Sequence, residues 1–72
     1  MTNEQLDLLL TLTSIRSNSL KAALRSHFVD GLAQREASAM FGVHEGQFSR
    51  RAKTVREVEE TVIRLSKLYQ KE

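Results

Sequence analysis

The sequence predicts an all-α fold, a single small helical domain of about five helices spanning residues 1–72. Three observations support this prediction. Seventy-two residues, 40% of them hydrophobic, are enough for one core and too few for two. Apolar residues recur at helical spacing in successive segments of the chain. No proline interrupts these segments, and Gly31 and Gly42 stand where breaks between helices are expected.

The first helix is predicted over residues 3 to about 14. Thr2 and Gln5 have the spacing of a capping box, in which each side chain bonds the backbone N–H of the other residue. Leu6, Leu9 and Leu10 follow at helical spacing. The serines that come next mark a break before the second helix.

The second helix is predicted to begin after a cap at Ser17 or Asn18 and to end at Asp30-Gly31. Its apolar positions have the i, i+3, i+4 and i+8 spacing of one helix face, namely Leu20, Ala23, Leu24 and Phe28. A glycine just past the last apolar position is typical of a helix C-terminus.

A helix-turn-helix is predicted at about residues 34–53. A short helix over 34–41 precedes a tight turn at Gly42, and a second short helix covers 45–53. Gly42 can adopt the positive φ that such a turn needs, and Ala37 and Ser38 are small enough to let the two helices cross closely. Val43 and Phe48 are expected to fill the angle between them.

A C-terminal amphipathic helix is predicted at about residues 55–70. Its apolar residues alternate at spacings of three and four, at Val55, Val58, Val62, Leu65 and Tyr69. The periodicity leaves open whether this helix continues the one before it or bends away near residue 54. All three phenylalanines, at 28, 41 and 48, are expected in the core.

Positive charge is concentrated in the helix-turn-helix segment. The net charge of the chain is +2, and residues 34–56 alone carry five basic and two acidic groups, whereas residues 1–33 are neutral. Such a cluster is typical of an element that contacts phosphate, although a solvated helix face produces the same pattern.

The second helix of this motif is predicted to contact DNA bases, because it enters the major groove in helix-turn-helix proteins. Arg50 matches guanine O6 and N7, Gln47 matches adenine, and Glu45 can accept from cytosine. Ser49 shares the outer face, and His44 is expected at a base, at a phosphate or simply in solvent.

Further residues are predicted to contact phosphate rather than bases. Three cations around one helix cannot all reach the groove floor, which assigns Arg51, Lys53 and Arg56 to the DNA backbone. Gln34 and Arg35 begin the first motif helix and are assigned to the opposite backbone wall, with solvent exposure as the alternative.

Several other classes of protein are disfavoured. The chain has no cysteine, and its two histidines are isolated, so neither a metal site nor a cofactor is expected. A small helical chain has few residues left to line a substrate pocket, so an enzyme is not expected. No apolar run approaches the 18 to 20 residues of a membrane span, and no signal peptide is visible, so a cytoplasmic protein is expected.

Several runs of the sequence resemble the PapB-like regulators of fimbrial adhesin operons. The resemblance extends from about residue 8 to 69 and rests on L-T-S-I at 12–15, A-L-R at 23–25, F-V-D-G at 28–31, G-Q-F-S at 46–49, V-I-R-L at 62–65 and L-Y at 68–69. Part of the motif, at 29–31, 34, 42–43, 46 and 49, is also similar to the KorA plasmid repressor. Both resemblances imply DNA binding.

The PapB resemblance implies a nucleoid-associated regulator that occupies A/T-rich repeated sites upstream of adhesin genes as an oligomer. It also implies an approach from the minor groove, where Arg50, Arg51 and Lys53 would read groove width instead of guanine edges. Double-stranded DNA and further copies of the chain are thus the expected partners, with no small-molecule effector evident. The alternative is a helical protein-interaction module, an anti-activator or adaptor, with an incidental basic cluster.

Overall fold

The structure, a computed structural model, describes residues 1–70 and consists of four α-helices. They are α1 (Asn3–Thr11), α2 (Asn18–Phe28), α3 (Gln34–Met40) and α4 (Glu45–Gln70). No strand occurs among these residues, so the all-α class is confirmed. Residues 71 and 72, the end of the predicted domain, lie outside the described part.

The prediction of about five helices is wrong, because the second motif helix and the C-terminal helix form one continuous α4 of 26 residues. No proline or glycine lies between Gln47 and Gln70 to interrupt the backbone. The hydroxyl of Thr54, where a bend was considered, donates to the carbonyl of Arg50 at 3.1 Å within the helix. The backbone is helical on both sides of this residue, from Glu45 to Gln70.

The start of α1 is as predicted, and its end comes earlier. The Thr2 hydroxyl accepts from the Gln5 N–H at 3.1 Å, and the Gln5 side chain accepts from the Thr2 N–H at 2.8 Å. Helix α1 ends at Thr11 instead of about residue 14. The N–H groups of Leu12 and Thr13 donate to the carbonyls of Leu9 and Leu10, three residues earlier, so the helix ends in a tighter turn.

Helix α2 has Ser17 as its N-cap, with the hydroxyl accepting from the Leu20 N–H at 3.2 Å. Gly31 follows its C-terminus with a φ of +82°, the left-handed conformation that glycine adopts readily. The next N–H, of Leu32, then donates to the carbonyl of Ser26 at 3.0 Å. The sequence had left the choice of cap open between Ser17 and Asn18.

The core lies between all four helices. Its largest fully buried side chains are Leu6, Leu24, Phe48 and Val55, contributed by α1, α2 and α4. Helix α3 contributes the small residues Ala37 and Ser38, both buried, as its close crossing with α2 and α4 requires.

Only one of the three phenylalanines predicted in the core is fully buried. Phe48 is inaccessible to solvent, and Phe28 is half-buried against the core cluster. The prediction for Phe41 is wrong, since 37% of this residue is exposed. Phe41 is the C-cap of α3, where the chain leaves the helix, and the helical spacing that would turn it inward no longer applies.

Helix α4 extends beyond the core. It measures about 39 Å at 1.5 Å per residue, within a molecule 45 Å long and 21 Å across. Its buried residues end at Val55, and every residue from 61 to 70 is exposed. No helix of the described chain is both long and apolar enough to cross a membrane.

Candidate nucleic-acid interface

Helices α3 and α4 are joined by a short turn, residues 41–44. Gly42 has a φ of +66°, the positive value predicted for this position. The Val43 N–H donates to the Ser38 carbonyl at 2.9 Å, which ties the turn to α3. The Val43 side chain packs against the core cluster, so the turn is held from both sides.

The first part of α4 has one buried side and one exposed side. Phe48, Ala52 and Val55 lie in the core and fix the rotation of the helix about its axis. On the exposed side an open cleft, which we call the α4 cleft, is lined by His44, Gln47, Arg50, Arg51 and Thr54. Four of its five lining residues belong to the predicted DNA-binding set.

Thr54 is the member of the α4 cleft that the sequence analysis missed. It lies seven residues after Gln47, which is close to two helical turns, so the two side chains share one side of α4. This spacing was available in the sequence.

His44 immediately precedes α4 and caps it. Its carbonyl accepts from the Phe48 N–H at 2.9 Å, and its ring Nδ1 accepts from the Gly46 N–H at 3.2 Å. A Cβ on residue 46 would lie 3.2 and 3.3 Å from two atoms of this ring, which is tighter than normal contact. Glycine at this position thus leaves room for the histidine cap.

Five other residues predicted to contact DNA lie outside the α4 cleft. Glu45, Ser49 and Lys53 are exposed on α4. Arg35 is exposed and Gln34 is half-buried in the first turn of α3, whose N-terminus lacks a side-chain cap. The structure therefore brings His44, Gln47, Arg50 and Arg51 together and leaves these five around them.

Arg56 lies on the other side of α4. It follows Gln47 by nine residues, about two and a half helical turns, and so faces the opposite direction. Its guanidinium carbon is 5.8 Å from the centroid of the Phe28 ring, within the range of a cation–π contact. Arg56 is thus separated from the α4 cleft.

The two arginines of the α4 cleft have no carboxylate partner. Among residues 1–70, the salt bridges are Arg25 with Asp7, which joins α2 to α1, and Arg64 with Glu60 within α4. Neither involves Arg50 or Arg51, which are both exposed. Their guanidinium groups are available to an anionic ligand, and guanidinium suits phosphate oxygens and base edges.

The described residues offer little for other chemistry. No group of three or more histidine, aspartate and glutamate side chains in residues 1–70 is arranged to hold a metal ion. His27, the other histidine, donates from Nδ1 to the Leu32 carbonyl at 2.7 Å and packs edge-on against Phe28 and Phe48. Its contacts are those of a structural side chain.

A comparison with protein families finds a match over almost the whole chain. The family model described as PapB, adhesin biosynthesis transcription regulatory protein, matches residues 1–69 of the chain. The match therefore includes all of α1 to α3 and nearly all of α4. Neither the curated proteins nor the solved structures gave a significant match.

Proposed function

The chain belongs to the PapB family, the adhesin biosynthesis transcription regulatory proteins, and on this premise we propose that it binds double-stranded DNA through the α4 cleft. In this proposal the protein is a cytoplasmic, nucleoid-associated regulator of a fimbrial or adhesin operon. It prefers A/T-rich repeated sites and occupies them as an oligomer. In this proposal it regulates transcription by binding DNA and catalyses no reaction.

The observation that carries the proposal is the pair of exposed arginines without a carboxylate partner on α4, the helix that follows the turn at residues 41–44. Phe48, Ala52 and Val55 anchor that helix on its other side, so Arg50 and Arg51 extend from a rigid support. A rigid helix orders few groups on binding, which lowers the entropic cost of recognition.

The α4 residues divide the work between sequence discrimination and affinity. Arg50 and Gln47 read bases or the narrow groove of A/T-rich DNA, with Ser49 and Glu45 beside them. Arg51 and Lys53 bind phosphates, as does Arg35 next to Gln34 at the start of α3. Arg56, which contacts Phe28, reaches a phosphate only where the DNA extends past the other side of α4.

The oligomer forms, in this proposal, through the α1–α4 apolar surface. Its side chains come from α1 and its C-cap and from the end of α4 beyond residue 61, namely Leu8, Leu12, Val62, Ile63, Leu65, Leu68 and Tyr69, each with 37–68% of its area exposed. Between the two helices lies an apolar groove, lined among others by Leu12 and Val62. Solvent exposure of so many large apolar residues in a small chain favours a partner.

A second copy of the chain suits this surface in extent and in chemistry. Seven large apolar side chains exposed to this degree present on the order of 500 Å², and a standard interface buries about 800 Å² on each partner, including its polar rim. Val62, Leu65 and Tyr69 repeat at spacings of three and four, the pattern by which two helices pack together. Two linked copies then bind two DNA sites with higher avidity than one copy alone.

Salt-dependent DNA binding tests the proposed function. We expect the wild-type protein to bind short duplexes with an affinity that falls steeply between about 50 and 200 mM salt, because each phosphate contact releases counterions. We also expect an A/T-rich duplex to bind more tightly than a random one. Fluorescence anisotropy on both duplexes measures these quantities, and absence of binding at low salt contradicts the proposal.

The second candidate function is a protein-interaction module, an anti-activator or adaptor. The α1–α4 apolar surface is the observation that favours it, because the same surface suits a helix of another protein. This function predicts binding to that partner at high salt and no binding to DNA. The salt titration of the wild-type protein therefore separates the two candidates.

A further inference from the structure

His44 combines a helix cap with an unused hydrogen-bond donor. Its Nδ1 accepts from the Gly46 N–H at 3.2 Å, and a ring nitrogen that accepts a hydrogen bond carries no proton. The neutral imidazole therefore holds its proton on Nε2. The cap occupies Nδ1, so the Nε2–H is the donor of this ring that is left for a ligand.

The surroundings of His44 are suited to binding an anionic ligand. The residue is exposed and lines the α4 cleft together with Arg50 and Arg51, which have no carboxylate partner. Gly46 permits this arrangement, since a side chain there would press on the ring at 3.2 Å. The cap thus fixes the direction of a donor in a cleft that already holds two free guanidinium groups.

We propose that His44 binds a DNA phosphate oxygen as a neutral donor through Nε2–H, with its orientation set by its own cap on Gly46. This inference rests on the proposed function and adds a contact of a different kind from those of the arginines. An arginine that neutralises a phosphate releases a counterion, whereas a neutral histidine does not. His44 therefore contributes affinity without contributing to the salt dependence.

The decisive variant is His44→Ser, measured over a range of salt concentrations. Serine is a good N-cap but too short to reach beyond the helix end, so the melting temperature stays within about 2 °C of wild type. We expect its affinity for the A/T-rich and the random duplex to fall about tenfold on both, as for one hydrogen bond to a charged group. The slope of log affinity against log salt stays unchanged.

Two further variants separate the cap from the contact. His44→Ala removes both, so its melting temperature falls by roughly 4–8 °C, as expected for a lost cap in a domain of this size, along with the same loss of affinity. Gly46→Ala keeps the histidine but displaces its ring. It lowers DNA affinity although alanine favours the helix more than glycine does.

Three outcomes overturn the inference. Full affinity of His44→Ser means that the ring only caps the helix. A salt slope that falls by about 0.9 means that His44 binds as a cation. A loss confined to the A/T-rich duplex means that the ring contacts a base edge. Each is distinct from failure of the proposed function, in which the wild-type protein itself does not bind DNA.

Discussion

Arg50 and Arg51 are neighbours in sequence with different expected roles. We predict that Arg50→Ala lowers the preference for the A/T-rich over the random duplex by a factor of about 5 to 150, the range of one base-discriminating contact. Arg51→Ala is predicted to weaken binding to both duplexes equally and to reduce the salt slope by about 0.9, because a phosphate contact is lost. Anisotropy titrations of both variants on both duplexes measure these effects. Equal losses on the two duplexes for both variants would refute this division of labour.

Gly42 is the residue on which the turn between α3 and α4 depends. Gly42→Ala is predicted to lower stability by about 1–2 kcal/mol, because the φ of +66° is strained for a residue with a Cβ. No atom lies within 4 Å of the added Cβ, so backbone strain is the cause and not a clash. Gly42→Asn serves as the control, since asparagine tolerates this conformation better. Thermal unfolding measures both, and wild-type stability of Gly42→Ala would contradict the prediction.

For single residues, the sequence correctly predicted those roles that depend on residues nearby in the sequence. The Thr2 cap, the positive φ of Gly42 and the burial of Ala37 all follow from local spacing. The role of Gly46 does not, because its explanation is the position of the His44 ring in space. Phe41 was misplaced since one residue beyond a helix end the helical period no longer predicts direction.

At the scale of elements, α4 is where prediction was least certain. Apolar residues on both sides of residue 54 keep a helical period, yet a period is equally compatible with one helix and with two aligned ones. Continuity is seen in the unbroken helix from Glu45 to Gln70, which propensity alone does not determine. The consequence is functional, since one rod joins the α4 cleft to the α1–α4 apolar surface.

The projecting end of α4 is predicted to be separable from the core. Thr61→Pro removes a backbone hydrogen bond and places its ring against the carbonyl of Glu57, at a cost of about 3 kcal/mol to the helix at that point. Because residues 61–70 are exposed, we expect this end to lose its helicity while Phe48 and Val55 stay buried. Circular dichroism and amide hydrogen exchange measure the two regions. Thr61→Ala is the control and is expected to remain folded. Global unfolding of Thr61→Pro alone would contradict the prediction, because it would show that residues 61–70 stabilise the core.

At the scale of the whole molecule, self-association is predicted to depend on the α1–α4 apolar surface. Leu65 is 49% exposed on this surface, and Leu65→Glu places a charge where a partner would exclude water. We expect the variant to be monomeric at concentrations where the wild type is dimeric or larger. Analytical ultracentrifugation measures the state of assembly.

Lys67→Gln is the matched control for this experiment, because it makes the same change in net charge at a position about 200° from Leu65 around the helix. It is predicted to assemble like the wild type. A wild-type protein that is monomeric at all concentrations would leave the apolar surface to a different partner. Loss of assembly in both variants would point to net charge as the cause.

The all-helical architecture was predictable because helices are specified locally. Which side chains share an exposed surface was not. A short chain with four amphipathic segments has few ways to bury Leu6, Leu24 and Phe48 together. Which cationic residues would gather is a question of helix rotation, which the packing of Phe48 and Val55 decides. For this reason Arg56, close to Arg51 in sequence, lies apart from the α4 cleft that contains Arg51.

The most direct test of DNA binding by the α4 cleft is chemical-shift mapping of the labelled wild-type protein on addition of an A/T-rich duplex. We predict that the largest shifts fall at the start of α3 and at residues 44–54, which include His44, Gln47, Arg50 and Arg51. The end of α4 beyond residue 61 is predicted to change less at a concentration where the state of assembly is constant. Shifts confined to α1 and the end of α4, with the α4 cleft unaffected, would contradict the account.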